Sequence, residues 1–155
     1  MPEELIVEVY SREEAGAILS SPSQRADICF LISIGTPDDR PPAGYRNVRD
    51  KLRLLFADAV DESGPTEDDI RTLIAVARAL ANRTGRVLVH CQAGISRSAA
   101  AAAIVHAVAL GPGREREAIE RVLRQREFAS PNRRMIEIAD RLLELEGRLI
   151  EAVEE

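Results

Sequence analysis

Two stretches of the chain are apolar at nearly every position. Ile28 to Ile34 reads ICFLISI and ends at Gly35, and Arg86 to His90 reads RVLVH. Runs of this length, rich in β-branched residues and without polar alternation, mark strands covered on both faces. Leu5 to Val9 and Leu52 to Phe56 are further strand candidates. Elsewhere the apolar spacing is helical. Ser11, with Glu14 three residues on, forms a capping box for a short helix through Leu19, which Ser20 to Ser23 break. The Pro-rich segment Thr36 to Gly44 is a loop. After the acidic turn Asp58 to Gly64, Thr66 and Asp69 cap a helix to about Asn82, closed by Gly85. Ala99 to Leu110 predicts a helix of small residues that packs closely on a sheet and stops at Gly111, Pro112 and Gly113. Two more helices are expected, about Glu115 to Gln125 and about Arg133 to Val153, the latter with Ile136, Ala139, Leu142, Leu143 and Leu145 on one face. Strands alternating with helices predict an α/β fold with a mainly parallel central sheet flanked by helices.

A chain of 155 residues suits one domain, residues 1–155, with a core of ordinary size. Hydrophobic residues at 45% and charged residues at 30% exclude a disordered chain. The longest apolar run, Ala99 to Leu110, is too short to cross a bilayer, and the start of the chain lacks the basic stretch of a signal peptide, so a cytoplasmic location is expected. A net charge of -5 and a pI near 5.2 argue against nucleic acid or an anionic membrane as partner. The two cysteines, Cys29 and Cys91, are too few for a disulfide framework, so each must be judged by its neighbours. Cys29, in an apolar strand, and His106, in mid-helix, read as packing residues.

Cys91 has informative neighbours. Between the apolar strand and the Ala-rich helix runs His90-Cys91-Gln92-Ala93-Gly94-Ile95-Ser96-Arg97-Ser98. Successive backbone N–H groups in a strand–loop–helix turn, added to the positive end of a helix, make a concave anion site. Gly94 lets the backbone curl, and Arg97 offers a planar fork for two phosphate oxygens. Cysteine is nucleophilic as a thiolate, the form such a field favours. A His-Cys pair ending a strand is more often plain core, but Cys91, Gly94, Arg97 and Ser98 together at this spacing are not.

The string HCQAGISRS resembles the phosphate-binding loop of the protein tyrosine and dual-specificity phosphatases: His-Cys, five residues, Arg, then Ser or Thr. The strand and acidic turn about 30 residues upstream, and Ser130-Pro131-Asn132 before the last helix, also look like parts of that catalytic domain, so the resemblance covers about Ile28 to Leu145. It implies a dual-specificity-phosphatase-like fold and a phosphoprotein phosphatase, specific for phosphotyrosine or of dual specificity, that needs no metal or cofactor. Cys91 would form a phosphocysteine, and Arg97 with the amides of Gln92, Ala93, Gly94, Ile95 and Ser96 would bind the phosphoryl group. Ser98 would help the thiolate leave, His90 would orient the loop, and Asn132 would cap the last helix and brace the loop. The general acid is an Asp on the turn after the upstream strand; Asp58 fits, with Asp61 the alternative. The family's Trp-Pro-Asp form of that turn is missing.

Rhodanese-like sulfurtransferases usually have four residues between Cys and Arg, against five here. Low-molecular-weight tyrosine phosphatases carry the acid far downstream, where this chain offers only Asp140. A phosphate-reading pseudophosphatase usually lacks the Cys or the Arg, and both are present. Phosphoinositide enzymes of the superfamily often add lysines to the loop, whereas Gln92, Ala93, Ile95 and Ser96 are neutral, which favours a phosphorylated protein as partner. With aromatic residues at 3%, a shallow pocket is expected rather than a deep aromatic slot.

Overall fold

The computed structural model describes residues 4–155. Its four strands are β1 (Leu5–Tyr10), β2 (Ile28–Gly35), β3 (Lys51–Leu55) and β4 (Gly85–His90), and its helices are α1 (Arg12–Leu19), α2 (Glu67–Leu80), α3 (Arg97–Leu110), α4 (Glu115–Gln125), α5 (Arg133–Leu142) and α6 (Arg148–Glu154). The sheet runs β1-β4-β2-β3 and every pair is parallel. The two continuous apolar runs are its inner strands, as their lack of alternation requires.

Alternation along the strands sorts the side chains between two cores. Val87, Val89 and Ile32 face the large core shared with α2 to α6, while Leu88 and Leu31 face a small one with Ala15, Ile18 and Leu19 of α1. Helix α3 lies in the large core, and all its residues from Arg97 to Ala107 are buried. Five consecutive alanines, Ala99 to Ala103, let it approach β1, β4 and three neighbouring helices at once. A larger side chain there would overpack the site at a cost on the order of 1–3 kcal/mol.

Parallel strands send all their C-terminal ends to one edge of the sheet, so Tyr10, Gly35, Leu55 and His90 end side by side. The turns that follow them carry the residues singled out above. Both capping boxes form as expected, at Ser11 with Glu14 and at Thr66 with Asp69. Gly85 opens β4 at φ +120 rather than closing α2, which ends at Leu80; a Cβ at Gly85 would lie 3.2 Å from the Sγ of Cys29. Cys29 is half-buried near the start of β2, whereas Cys91 follows the end of β4. Roughly 16 Å of strand separates them, far beyond disulfide reach. Among the described residues no helix is long and apolar enough to cross a membrane.

The expected helix from Arg133 to Val153 is in fact two. Glu144 and Glu146 take positive φ, and Gly147 at φ +85 starts the turn into α6. The cause is Asp140, a carboxylate only 3% exposed that accepts the N–H groups of Gly147 (2.8 Å), Leu149 (2.8 Å) and Ile150 (3.1 Å). A side chain that satisfies three amides favours this break over a continued helix. Asp140→Ala leaves the buried Leu149 donor and the half-buried Gly147 and Ile150 donors without this partner, and a loss of about 2 kcal/mol is expected in urea unfolding, with a smaller loss for Asp140→Asn.

Candidate active site

The turn from Cys91 to Ser96 joins β4 to α3, and its backbone carbonyls are all engaged from outside. The carbonyl of Cys91 lies 3.1 Å from His90 Nδ1, and that of Gln92 accepts the N–H of Arg12 at 3.1 Å. Arg126 donates its Nη2 to the Ala93 carbonyl (3.2 Å) and its Nε to that of Gly94 (3.1 Å). The Ile95 carbonyl accepts the N–H of Ser130 at 2.7 Å, and the Ser96 carbonyl that of Asn132 at 3.1 Å. No backbone N–H from Gln92 to Ser96 has a protein acceptor among the described residues. With carbonyls pulled outward, the amides are left for a central anion.

Gly94 makes this curl possible. Its φ is +71, and a Cβ there would stand 2.6 Å from the carbonyl carbon of Tyr10 and 2.7 Å from the nitrogen of Ser11. Both the backbone conformation and the space exclude a side chain. The β1–α1 junction is thus a wall of the site, a role the sequence did not suggest for the first 25 residues. Arg126, also missed, is held for its task by Glu14 at 2.8 Å. That hydrogen bond lowers the carboxyl of Glu14 to about 2, against an ordinary value of 4.5.

Cys91 is 2% exposed, with its sulfur 2.9 Å from Ser98 Oγ. Arg97, 5% exposed, is anchored by one edge: Nη1 donates to the Phe56 carbonyl at 2.8 Å and to Thr36 Oγ1 at 3.3 Å. Its Nε is buried without a hydrogen-bond partner. A buried guanidinium N–H left open is costly unless a ligand completes it.

Of the two candidate acids, only Asp58 reaches the loop. Its Oδ1 accepts Ser96 Oγ at 2.7 Å and Asn132 Nδ2 at 2.9 Å. Asn132 also donates to the Ala59 carbonyl (3.2 Å), while its Oδ1 caps α5 through the N–H of Met135 (3.0 Å), so one amide joins the helix, the acidic turn and the loop. Asp61 is exposed and closes its own turn on Ser63, which lowers its carboxyl from the ordinary value.

The class that this fold and loop define is that of the cysteine-dependent phosphatases. The chain belongs to the dual specificity phosphatase family, whose catalytic-domain model matches residues 9–142 and so takes in α1 as well as the loop. No curated protein matches it. Among solved structures it is similar to human DUSP28, at 22% identity and TM-score 0.69 over 92% of this chain and 94% of that one. A mouse putative dual specificity phosphatase complexed with zinc tungstate aligns at 18% identity and TM-score 0.65, over 96% and 86%. PTPMT1 in complex with PI(5)P aligns at 21% and 0.62, over 92% and 94%. At these identities the structures share the fold. The chain thus has the catalytic-domain fold of the cysteine-based phosphatases.

Two buried histidines make stability depend on pH. His90 is lowered to about 4 by desolvation, opposed by its hydrogen bond to the Cys91 carbonyl and reinforced by Arg53, Arg12 and Arg97. His106 is lowered to about 4 by desolvation and by Arg121. Both lie below the ordinary 6.5, so the unfolded chain binds more protons between 6.5 and about 4. Their contribution is whole above pH 6.5 and is lost as pH falls toward 4. The unfolding free energy should therefore drop between about pH 7 and about pH 5, less steeply in His106→Leu; a flat profile in the native chain would contradict this.

Proposed function

We propose that the chain hydrolyses phosphate monoesters on proteins through a phosphocysteine on Cys91. The observation that carries this reading is the loop itself, six carbonyls drawn outward around a sulfur, beside an arginine with an open Nε. The thiolate attacks phosphorus, the amides from Gln92 to Ser96 receive the phosphoryl oxygens, and Arg97 adds Nε and Nη2 as a fork. Asp58 gives its proton to the departing oxygen. Its two donors converge on Oδ1 and leave Oδ2 open for that exchange. In the second step the Asp58 carboxylate takes a proton from the attacking water, and Ser98 donates to the sulfur as the thiolate leaves. His90 and Asn132 hold the geometry. No step needs a metal or cofactor.

Neutral side chains at Gln92, Ala93, Ile95 and Ser96 favour a protein substrate over a polyanionic headgroup. Ile95 is 40% exposed, and Phe128, in the segment tied to the loop by Ser130, is 68% exposed. These apolar surfaces suit a phosphoaryl ring in a shallow pocket and are compatible with dual specificity. With Cys91 and Arg97 both in place, turnover is favoured over mere capture. A cytoplasmic setting suits a reduced thiol.

Purified protein is expected to hydrolyse p-nitrophenyl phosphate in excess EDTA, to be inhibited by vanadate, and to lose nearly all turnover in Cys91→Ser. Undiminished turnover in that variant would sink the mechanism. For the acid, Asp58→Asn should cost much with phenyl phosphate and little with p-nitrophenyl phosphate, whose leaving group departs unprotonated. If Asp61→Asn shows that contrast and Asp58→Asn does not, the role passes to Asp61.

A further inference from the structure

One row of polar side chains crosses three strands on the α1 face of the sheet. Arg53 of β3 is the register partner of Ser33 in β2, which is in turn the partner of His90 in β4. Ser33 is fully buried and His90 is 1% exposed. Arg53 Nη1 donates to Ser33 Oγ at 2.8 Å, Ser33 Oγ lies 2.6 Å from His90 Nε2, and His90 Nδ1 lies 3.1 Å from the Cys91 carbonyl. Building on the proposed phosphatase reading, we propose that Arg53 is a positioning residue for the nucleophile, which fixes the tautomer of His90 through Ser33 and so holds the Cys91 carbonyl away from the anion site.

The number of protons and lone pairs on these groups sets each direction. A guanidinium has no acceptor, so Ser33 Oγ must accept from Arg53. Oγ keeps one lone pair and one proton: the Cys91 carbonyl can only accept, so Nδ1 is its donor, and Nε2 is then the acceptor that the described residues offer the Ser33 proton. The neutral imidazole then carries its proton on Nδ1, aimed at the Cys91 carbonyl. Accepting from a guanidinium makes the Ser33 hydroxyl a stronger donor and a poorer acceptor, so loss of Arg53 removes the bias against an imidazole with its proton on Nε2. Nδ1 would then face the carbonyl oxygen lone pair to lone pair, and the first carbonyl of the loop would lose its outward anchor.

The chain makes room for this device. A Cβ on Gly35 would lie 2.8 Å from Arg53 Nη2, so a side chain there would push the guanidinium from its present place. Nη2 also donates to the Asp39 carbonyl at 3.1 Å. The Asp39 carboxylate accepts the N–H of Thr36 at 2.9 Å, and Thr36 Oγ1 accepts Arg97 Nη1. One guanidinium thus connects the supports of both Cys91 and Arg97. The charged groups bearing on His90 are Arg53 from β3, Arg12 from α1 and Arg97 from α3, and Tyr10 is its register partner on β1. All three charges oppose protonation of the imidazole.

The test compares the native chain with Arg53→Met and Arg53→Lys, by 15N NMR of the His90 ring and by kcat and KM on p-nitrophenyl phosphate. The native ring should carry its proton on Nδ1. Arg53→Met should show the Nε2–H form, with kcat down on the order of tenfold or more and KM little changed. Arg53→Lys, whose ammonium can donate to Ser33, should restore the Nδ1–H form and most of kcat. An Nδ1–H ring with native kcat in Arg53→Met overturns the proposal. Should Arg53→Met not fold, Ser33→Ala takes its place, and an unchanged His90 tautomer there overturns it equally. The NMR readout requires no turnover, so a native chain that hydrolyses no phosphate ester overturns the phosphatase reading while this test still stands or falls on its own.

Discussion

Everything at the C-terminal edge of the sheet depends on keeping six consecutive carbonyls, from Cys91 to Ser96, out of the space where an anion would sit. Carbonyl oxygens carry negative partial charge, and one turned inward would repel any anion placed there. A short loop cannot enforce this alone, because each peptide unit is free to flip between two orientations. The fold supplies an outside donor for each carbonyl: an imidazole, a guanidinium serving two, and the backbone N–H groups of Arg12, Ser130 and Asn132. Preorganisation of this kind matters because donors already aimed need no reorganisation when charge develops.

Those donors come from distant parts of the chain, which explains the arrangement around the loop. Arg12 opens α1, Arg126 follows α4, and Ser130 and Asn132 precede α5. Three helices thus end or begin at the loop. Asp58, on the turn after β3, closes the ring through Ser96 and Asn132. The parallel sheet accounts for part of this convergence, since Arg12 and Asp58 sit where βα turns leave it at the same edge, whereas Arg126, Ser130 and Asn132 come from the connection between α4 and α5.

Burial and charge reinforce one another here. Cys91 and Arg97 are nearly inaccessible, and Arg97 spends only one edge of its guanidinium on protein acceptors. At the buried Arg97 Nε, an open N–H gains more from an anion than it would in water. The same burial keeps His90 neutral among three arginines and lets it serve as a hydrogen-bonding strut rather than a further positive charge.

The sequence by itself determined the elements whose signals are local. Uninterrupted β-branched runs marked the two inner strands, capping boxes marked α1 and α2, and the spacing of Cys91, Gly94, Arg97 and Ser98 located the loop before its helix. It also placed an Asp after β3 and a cap at Asn132. Only the tertiary structure decided which Asp meets the loop, because Asp58 and Asp61 differ by less than one turn and the choice rests on Asn132, 74 residues away. The break after α5 was equally hidden, since Asp140 acts on amides that its helix brings near only once it has ended. Arg126, Arg53 and the β1–α1 wall against Gly94 left no signal either. A hydrogen bond between residues far apart in the chain has no periodicity to read, and an arginine in an arginine-rich sequence looks like solvated surface until the sheet register places it beside a carbonyl.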